Sequence, residues 1–344
     1  MLRLWSQILP LALASLFVAA CGGGGDENGE GFDPSPALRV GLIVDQGQLD
    51  DNGFNELAFK GLERAQAELS VEGRVIESAS AADYIPNMTS LARQGYDLVI
   101  GVGFAQGDAI GKVAQRFPET RFAIIDVSQA FVPGKPANVQ GLLFREEEVG
   151  YLVGYLAALQ EKRRDGADVI SAVGGTKEPP VDRFIAGYFA GAKEAAPAIK
   201  TVVDYSQDWE DQAKCKELAL NQIAGGSGVV FQVAGGCGLG ALNAAGERKR
   251  WGIGVDADQS SLGKHILTSA KKGVDSAVFL TIKSIQDGVW QGGRNTTFGL
   301  KERGVGLGKV SSEVPQSDID AVVEIAKRIA SGEITGIPTE VARS

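Results

Sequence analysis

Short apolar runs alternate with amphipathic segments of helical length through most of the chain, and this alternation constrains the fold more than any other feature. The runs are Arg39–Val44, Arg74–Glu77, Leu98–Val102, Arg121–Ile125, Val139–Phe144, Asp168–Val173, Thr201–Tyr205, Gly228–Val233, Trp251–Val255 and His265–Ser269. The helical patterns are Phe54–Leu69, Ile85–Gln94, Ile110–Phe117, Val149–Glu161, Phe184–Ala195, Gln212–Ile223, Leu239–Lys249 and Ser276–Gly288. A last helix is expected over Ser317–Ser331, with Ser317 and Asp318 as cap candidates. Such alternation means βαβ units and parallel sheets flanked by helices. About ten strands are more than one ordinary doubly wound sheet holds, so the chain reads as an α/β protein of two lobes. No internal sequence repeat stands out.

Several strands end in polar or glycine-rich residues: Asp45, Gly101 to Phe104, Asp126, Gly174 to Thr176, Ser206 to Trp209, Ala234 to Gly238, and Asp256 to Gln259. In open α/β sheets ligands bind beyond the carboxyl ends of the strands. Each lobe should therefore have one mouth, and two facing mouths make a single cleft. The loop after the first strand crowds a carboxylate (Asp45), an aromatic face (Phe54) and an amide (Asn55) around a helix start, which suits a small organic ligand. Asp45 would alternatively cap its own turn, and Asn55 the helix. The pair Asp50-Asp51 reads as a solvated turn favoured by the helix dipole.

Residues 1–20 join Arg3 to a short apolar run, Ile8 to Ala20, and read as a signal peptide too short to span a bilayer. The segment ends Val18-Ala19-Ala20-Cys21, which resembles a bacterial lipobox and implies a lipid on Cys21; the alternative is an ordinary signal peptide with a chance cysteine. Residues 21–37 form a polar, flexible tether. The protein is then exported and anchored to a membrane. Cys215, in the first turns of a helix, and Cys237, just after a strand, should lie on one edge of the α/β layer. They are expected either to form a disulfide, in an exported protein where disulfides persist, or to stay separate small core residues. A net charge of −9 disfavours nucleic acid as a partner. His265 is the only histidine, which removes His-rich metal sites and most Ser-His-Asp catalysis. Gly101-Val102-Gly103 lacks the further glycine of a dinucleotide fingerprint, and no cofactor or metal is expected.

The segments DQGQLDDNGFNE, GGTKEPPVDRFIAGYFAGAKEAAP, VVFQVAGGCGLGALNAA, IGVDADQ and ILTSAKKGVDSAV follow one another across residues 38–300. Together they resemble the basic membrane protein, or purine nucleoside receptor, family of ABC-transporter substrate-binding lipoproteins. The resemblance implies a fold like the type I periplasmic binding proteins, with three crossovers and one ligand between the lobes. It further implies a purine nucleoside as ligand, an ABC permease as partner, and binding without catalysis; the chain is expected to act as a monomer. In the family's pattern Phe54 and Trp209 offer aromatic faces to the base, while Asp45, Asn55 and Asp126 read its polar edge. Gly235 and Gly236 let backbone amides approach, although a plain tight turn would need them too. Asp256, with Asp258 behind it, accepts from the ribose diol. Lys272 donates to a ribose hydroxyl and pairs with a carboxylate; Lys271 beside it, and Gly273 where the family has a basic residue, leave the register open by one. Phe104 and Phe184 are read as core or rim. The lobes are drawn at 38–127 plus 258–292 and 142–256 plus 300–341, with hinges in Val127–Phe144, Asp256–Gly263 and Trp290–Leu300. A receptor for a sugar or signalling molecule, an exported nucleoside hydrolase and a surface adhesin are the competing readings.

Overall fold

The structure is a computed structural model and describes residues 37–342. The signal segment, Cys21 and the tether up to Pro36 lie outside the described residues. The strands are β1 (Arg39–Val44), β2 (Glu72–Glu77), β3 (Leu98–Gly101), β4 (Arg121–Ile125), β5 (Val139–Phe144), β6 (Val169–Gly174), β7 (Lys200–Tyr205), β8 (Ser227–Val233), β9 (Trp251–Asp256), β10 (Ile266–Lys272), β11 (Asn295–Phe298) and β12 (Val305–Leu307). The helices are α1 (Phe54–Leu69), α2 (Tyr84–Arg93), α3 (Gly107–Ala114), α4 (Glu146–Lys162), α5 (Pro179–Ala195), α6 (Gln212–Ala224), α7 (Gly235–Glu247), α8 (Val274–Gln286) and α9 (Gln316–Ala330).

They form two six-stranded sheets, ordered β11-β5-β4-β3-β1-β2 and β12-β10-β9-β8-β6-β7. Central strands such as β1 and β8 are continuous buried apolar runs, as a strand covered by helices on both faces requires. The edge strands β2 and β7 alternate exposed and half-buried residues. Every pairing is parallel except β12 with β10. Helix α1 shows why the chain folds so locally. Its buried residues Asn55, Ala58, Leu62 and Ala65 recur at helical spacing, and Ser70 ends it in the left-handed conformation. Helices α4 and α5 approach so closely that a Cβ at Gly150, Gly154, Gly187 or Gly191 would strike the other helix's backbone.

The second sheet repeats the strand order of the first, with β6 to β10 in the places of β1 to β5. The correspondence is one of architecture, and in sequence it shows only locally. Asp126-Val127-Ser128-Gln129 after β4 matches Asp256-Ala257-Asp258-Gln259 after β9. Both aspartates have a left-handed backbone, with φ 71° and 62°, and both glutamines are buried.

The lobe boundaries differ from those drawn on the sequence. β5 pairs with β4, which keeps residues 142–144 in the first lobe, and β10 pairs with β9, which moves 266–272 to the second. α8 returns to pack on α1. The chain therefore crosses at Phe144–Glu146, Lys272–Val274 and Phe298–Val305; the first meets an expected hinge only at Phe144, the third shares Phe298–Leu300 with one, and the second meets none. The crossings are tied together. Arg145 N donates to Phe298 O (3.0 Å), and Gly273 N to Gly304 O (2.8 Å). Phe144 stacks on Phe298 at 5.2 Å.

Candidate functional site

A cavity of about 270 Å³ lies between the strand ends of the two sheets. The first lobe lines it with Asp45, Phe54, Asn55 and Asp126, and the second with Trp209, Gly235, Gly236, Asp256 and Lys272. The structure thus brings these nine candidates together at one cavity. Lys271 is exposed, whereas Lys272 is buried and lines the cavity. Asp258 is not among the lining residues; it accepts from Ser260 N and Lys309 N, both at 3.1 Å, and so fixes loops.

The first loop is built by its buried acids. Asp51 accepts from Gly53 N (2.8 Å), Asn55 N (2.9 Å) and Glu56 N (3.2 Å), satisfying donors that a helix start leaves free. This corrects the reading of a solvated turn: Asp51 is buried, and burial raises its pKa against those hydrogen bonds. Asn55 points Nδ2 toward Gln48 O at 3.4 Å, while its buried Oδ1 has no partner. Asp45 accepts from the Tyr84 hydroxyl and from Gln46 N at 2.7 Å. Burial raises the Asp45 pKa, and both bonds oppose the rise. Gly103, with φ 110°, lets the backbone pass where a Cβ would strike the Asp45 carboxylate; the glycine that failed as a dinucleotide motif has this role.

The deep end of the cavity holds a buried ion cluster at the crossings. Lys272 Nζ lies 2.7 Å from both oxygens of Asp126 and 2.9 Å from Glu146 Oε1. An ammonium has three donors, so these acceptors occupy it fully, and donation to a ligand hydroxyl must displace one of them. Burial lowers the Lys272 pKa, but Asp126, Glu146 and Asp256 together outweigh burial and hold it up. The ammonium also sits 5.1 Å from the Phe54 ring and 4.9 Å from the Phe144 ring. Asp256, buried without a hydrogen bond from the described residues, is pushed up to about 7 by burial and by Asp51 and Asp126, with Lys272 opposing.

On the second lobe Trp209 packs against Gly175, where a Cβ would overlap its ring. Its carbonyl accepts from Cys237 N at 2.9 Å. Cys237 is joined to Cys215 in a disulfide, with Cα atoms 5.5 Å apart. Gly235 and Gly236 open α7 rather than forming a separate turn, so their N–H groups are those of a helix start. The bridge closes 22 residues of chain around the Trp209 loop's neighbours. By loop-closure entropy, Cys215→Ser with Cys237→Ser should cost about 3 kcal/mol. Urea unfolding with and without reductant checks this: reductant should shift the wild-type midpoint down and leave the double variant unmoved.

A family model described as "ABC transporter substrate-binding protein PnrA-like" matches residues 38–338. The chain belongs to this family. Its PnrA-like members are substrate-binding proteins of ABC transporters, not enzymes. The chain is 34% identical to "ABC transporter nucleoside-binding protein BmpA" of Lactococcus lactis, over 94% of this chain and 96% of that one. It is 33% identical to an uncharacterized lipoprotein of Pyrococcus horikoshii, over 95% and 85% of the two chains. The structure of an ABC transporter solute-binding protein from Aeropyrum pernix superposes with a TM-score of 0.78 at 29% identity, covering 87% of this chain and 94% of that one. The PnrA-like chain thus has the two-lobed, type I-like architecture of periplasmic solute-binding proteins.

Four residues of the PnrA-like site escaped the sequence reading. Tyr84 and Glu146 hold Asp45 and Lys272. Gln259 Nε2 reaches across to Asn52 O at 3.1 Å, while its Oε1 accepts from Gln232 Nε2 at 2.9 Å. Glu178, which precedes α5, faces the cavity. Glu146 and Glu178 stand beside helix starts, and a helix start at a strand's carboxyl edge is the signal that would have found them.

Proposed function

We propose that the protein is an exported, lipid-anchored receptor that binds a purine nucleoside between its lobes and delivers it to an ABC permease. One observation carries the reading: Phe54 from the first lobe and Trp209 from the second line one cavity, beside carboxylates and an amide that lack full complements of partners. Aromatic faces suit a flat base, and the acceptors suit a ribose diol and base N–H groups. The nucleoside-binding relative from Lactococcus lactis supports the ligand class. The lipobox at Cys21 and the lipoprotein from Pyrococcus horikoshii support the anchor.

The mechanism is selection of a closed form. A ligand touched by both lobes favours closure by the difference between its affinities for the closed and open forms. The three crossings act as the hinge, and the closed outline is what the permease reads. Native mass spectrometry of the purified protein, followed by calorimetric titration with guanosine and adenosine, tests this. A bound nucleoside, or saturable binding of at least one, is expected, with inosine left intact on incubation. Binding of free ribose or another sugar without any nucleoside, or release of free base from inosine, would overturn it.

A further inference from the structure

The half-buried and buried carboxylates of the cavity divide into committed and free. Asp51 is spent on the start of α1, Asp126 on Lys272, and Asp45 accepts from Tyr84 and Gln46. Asp256 and Glu178 accept nothing from the described residues. Glu178 stands in the N-cap position of α5 yet makes no side-chain cap bond, and Pro179 and Pro180 behind it carry no N–H to bond. Its neighbour Lys177 is turned away, with Nζ 2.6 Å from Asp182. No cation therefore neutralises Glu178 in place. Burial, then Asp45 and Asp126 across the cleft, push its pKa up to about 7.

The two free acids mark different ends of the site. Asp256 lines the inner cavity together with Lys272. Glu178 lines that cavity too, but also an adjoining one of about 700 Å³ that shares Asp45 and Trp209 and excludes Asp256 and Lys272. A nucleoside likewise has two donor-bearing ends, the ribose diol and the base edge. With the diol at Asp256, the base edge falls to Glu178.

We propose that Glu178 sets the base specificity of the cleft by accepting N–H groups from the base edge, and that it selects guanine. This rests on the nucleoside reading above. A carboxylate matches two adjacent N–H donors. Guanine offers N1–H and its 2-amino group side by side. Hypoxanthine has only N1–H, and adenine sets a bare N1 acceptor beside its amino group, which a carboxylate repels.

Calorimetric titration of wild-type protein and Glu178→Gln with guanosine, inosine, adenosine and 2′-deoxyguanosine, at a pH above the raised pKa so that Glu178 is ionised, tests it. The wild type should bind guanosine at least about tenfold more tightly than adenosine. Glu178→Gln should lose about tenfold or more for guanosine and change less than about threefold for adenosine. The penalty for the missing 2′-hydroxyl should stay the same, because that end belongs to Asp256. An unchanged melting temperature verifies that the variant is folded, as expected for a side chain without bonds. A guanosine-to-adenosine ratio equal in the two proteins would overturn the assignment while leaving nucleoside binding intact. A wild type that binds none of the four would overturn both readings.

Discussion

Lys272→Met is expected to destabilise the fold strongly. The lysine is 2% exposed and its partners Asp126 and Glu146 are 4% and 2% exposed, so removing the cation strands two carboxylates in the interior with Asp256 nearby. Breaking one side of a buried ion pair in this way costs about 3–5 kcal/mol. Urea unfolding of the ligand-free protein measures it. The pH dependence gives a second reading. Glu146 and Asp256 are already held above the ordinary carboxylate range, chiefly by burial. An acid with a raised folded pKa keeps its proton in the folded state when the unfolded chain has lost it. Its contribution is thus fully present below the ordinary value near 4 and is lost as pH rises toward about 7 for Asp256. Lys272→Met removes the opposing charge and should steepen this fall, so the deficit should be smaller at pH 5 than at pH 8. An unfolding midpoint equal to wild type at both pH values would show that the cluster does not hold the crossings.

The second large effect concerns the aromatic faces. Phe54→Ala and Trp209→Ala should each weaken nucleoside binding by about 1–3 kcal/mol, which is about fivefold to 150-fold. The double variant should lose about the product of the two, since the residues sit on different lobes and do not support each other. Phe104 makes a useful control: it lines the same cavity but is 37% exposed, and its truncation should cost much less. Calorimetry with guanosine decides the matter. Unchanged affinity in both single variants would remove the ligand from this cleft and leave the fold untouched.

What was legible in the sequence follows from where the physics is local. Buried apolar runs marked the central strands, such as β1, β3, β4 and β8, because helices cover both faces there, and short β-branched stretches marked the edge strands β2 and β7. The strand ends then located Asp45, Asp126 and Asp256, since the topology sends every such end to the cleft. The misses have equally local causes. β11 reads Asn-Thr-Thr-Phe with only Phe298 buried, and β12 spans three residues, so neither carries a periodic signal. α4 begins at Glu146 because acidic side chains suit a helix start, although three glutamates in a row look like solvent-facing loop. α7 begins at Gly235, four residues before the apolar pattern that suggested it, because its first turn holds three glycines. The lobe boundaries failed for a different reason: β5 and β10 look alike from within, and only pairing with distant strands says which sheet owns them.

The likeness of the two lobes carries a consequence at the point where they meet. Asp126 and Asp256 occupy matching places after β4 and β9, and the strands that follow run in matching register, Ile125 beside Leu142 and Val255 beside Ala270. Counting onward, Phe144 is the counterpart of Lys272. Two faithful copies of either lobe would bring two lysines, or two phenylalanines, to a junction where one ammonium now rests 4.9 Å from an aromatic ring. One lobe supplies the ammonium that the acids around it share, and the other supplies an aromatic surface beneath it. A chain of this design has specialised its halves where they meet, so exchanging one half for a second copy of the other would bring a second ammonium to the acids or take away the one they share.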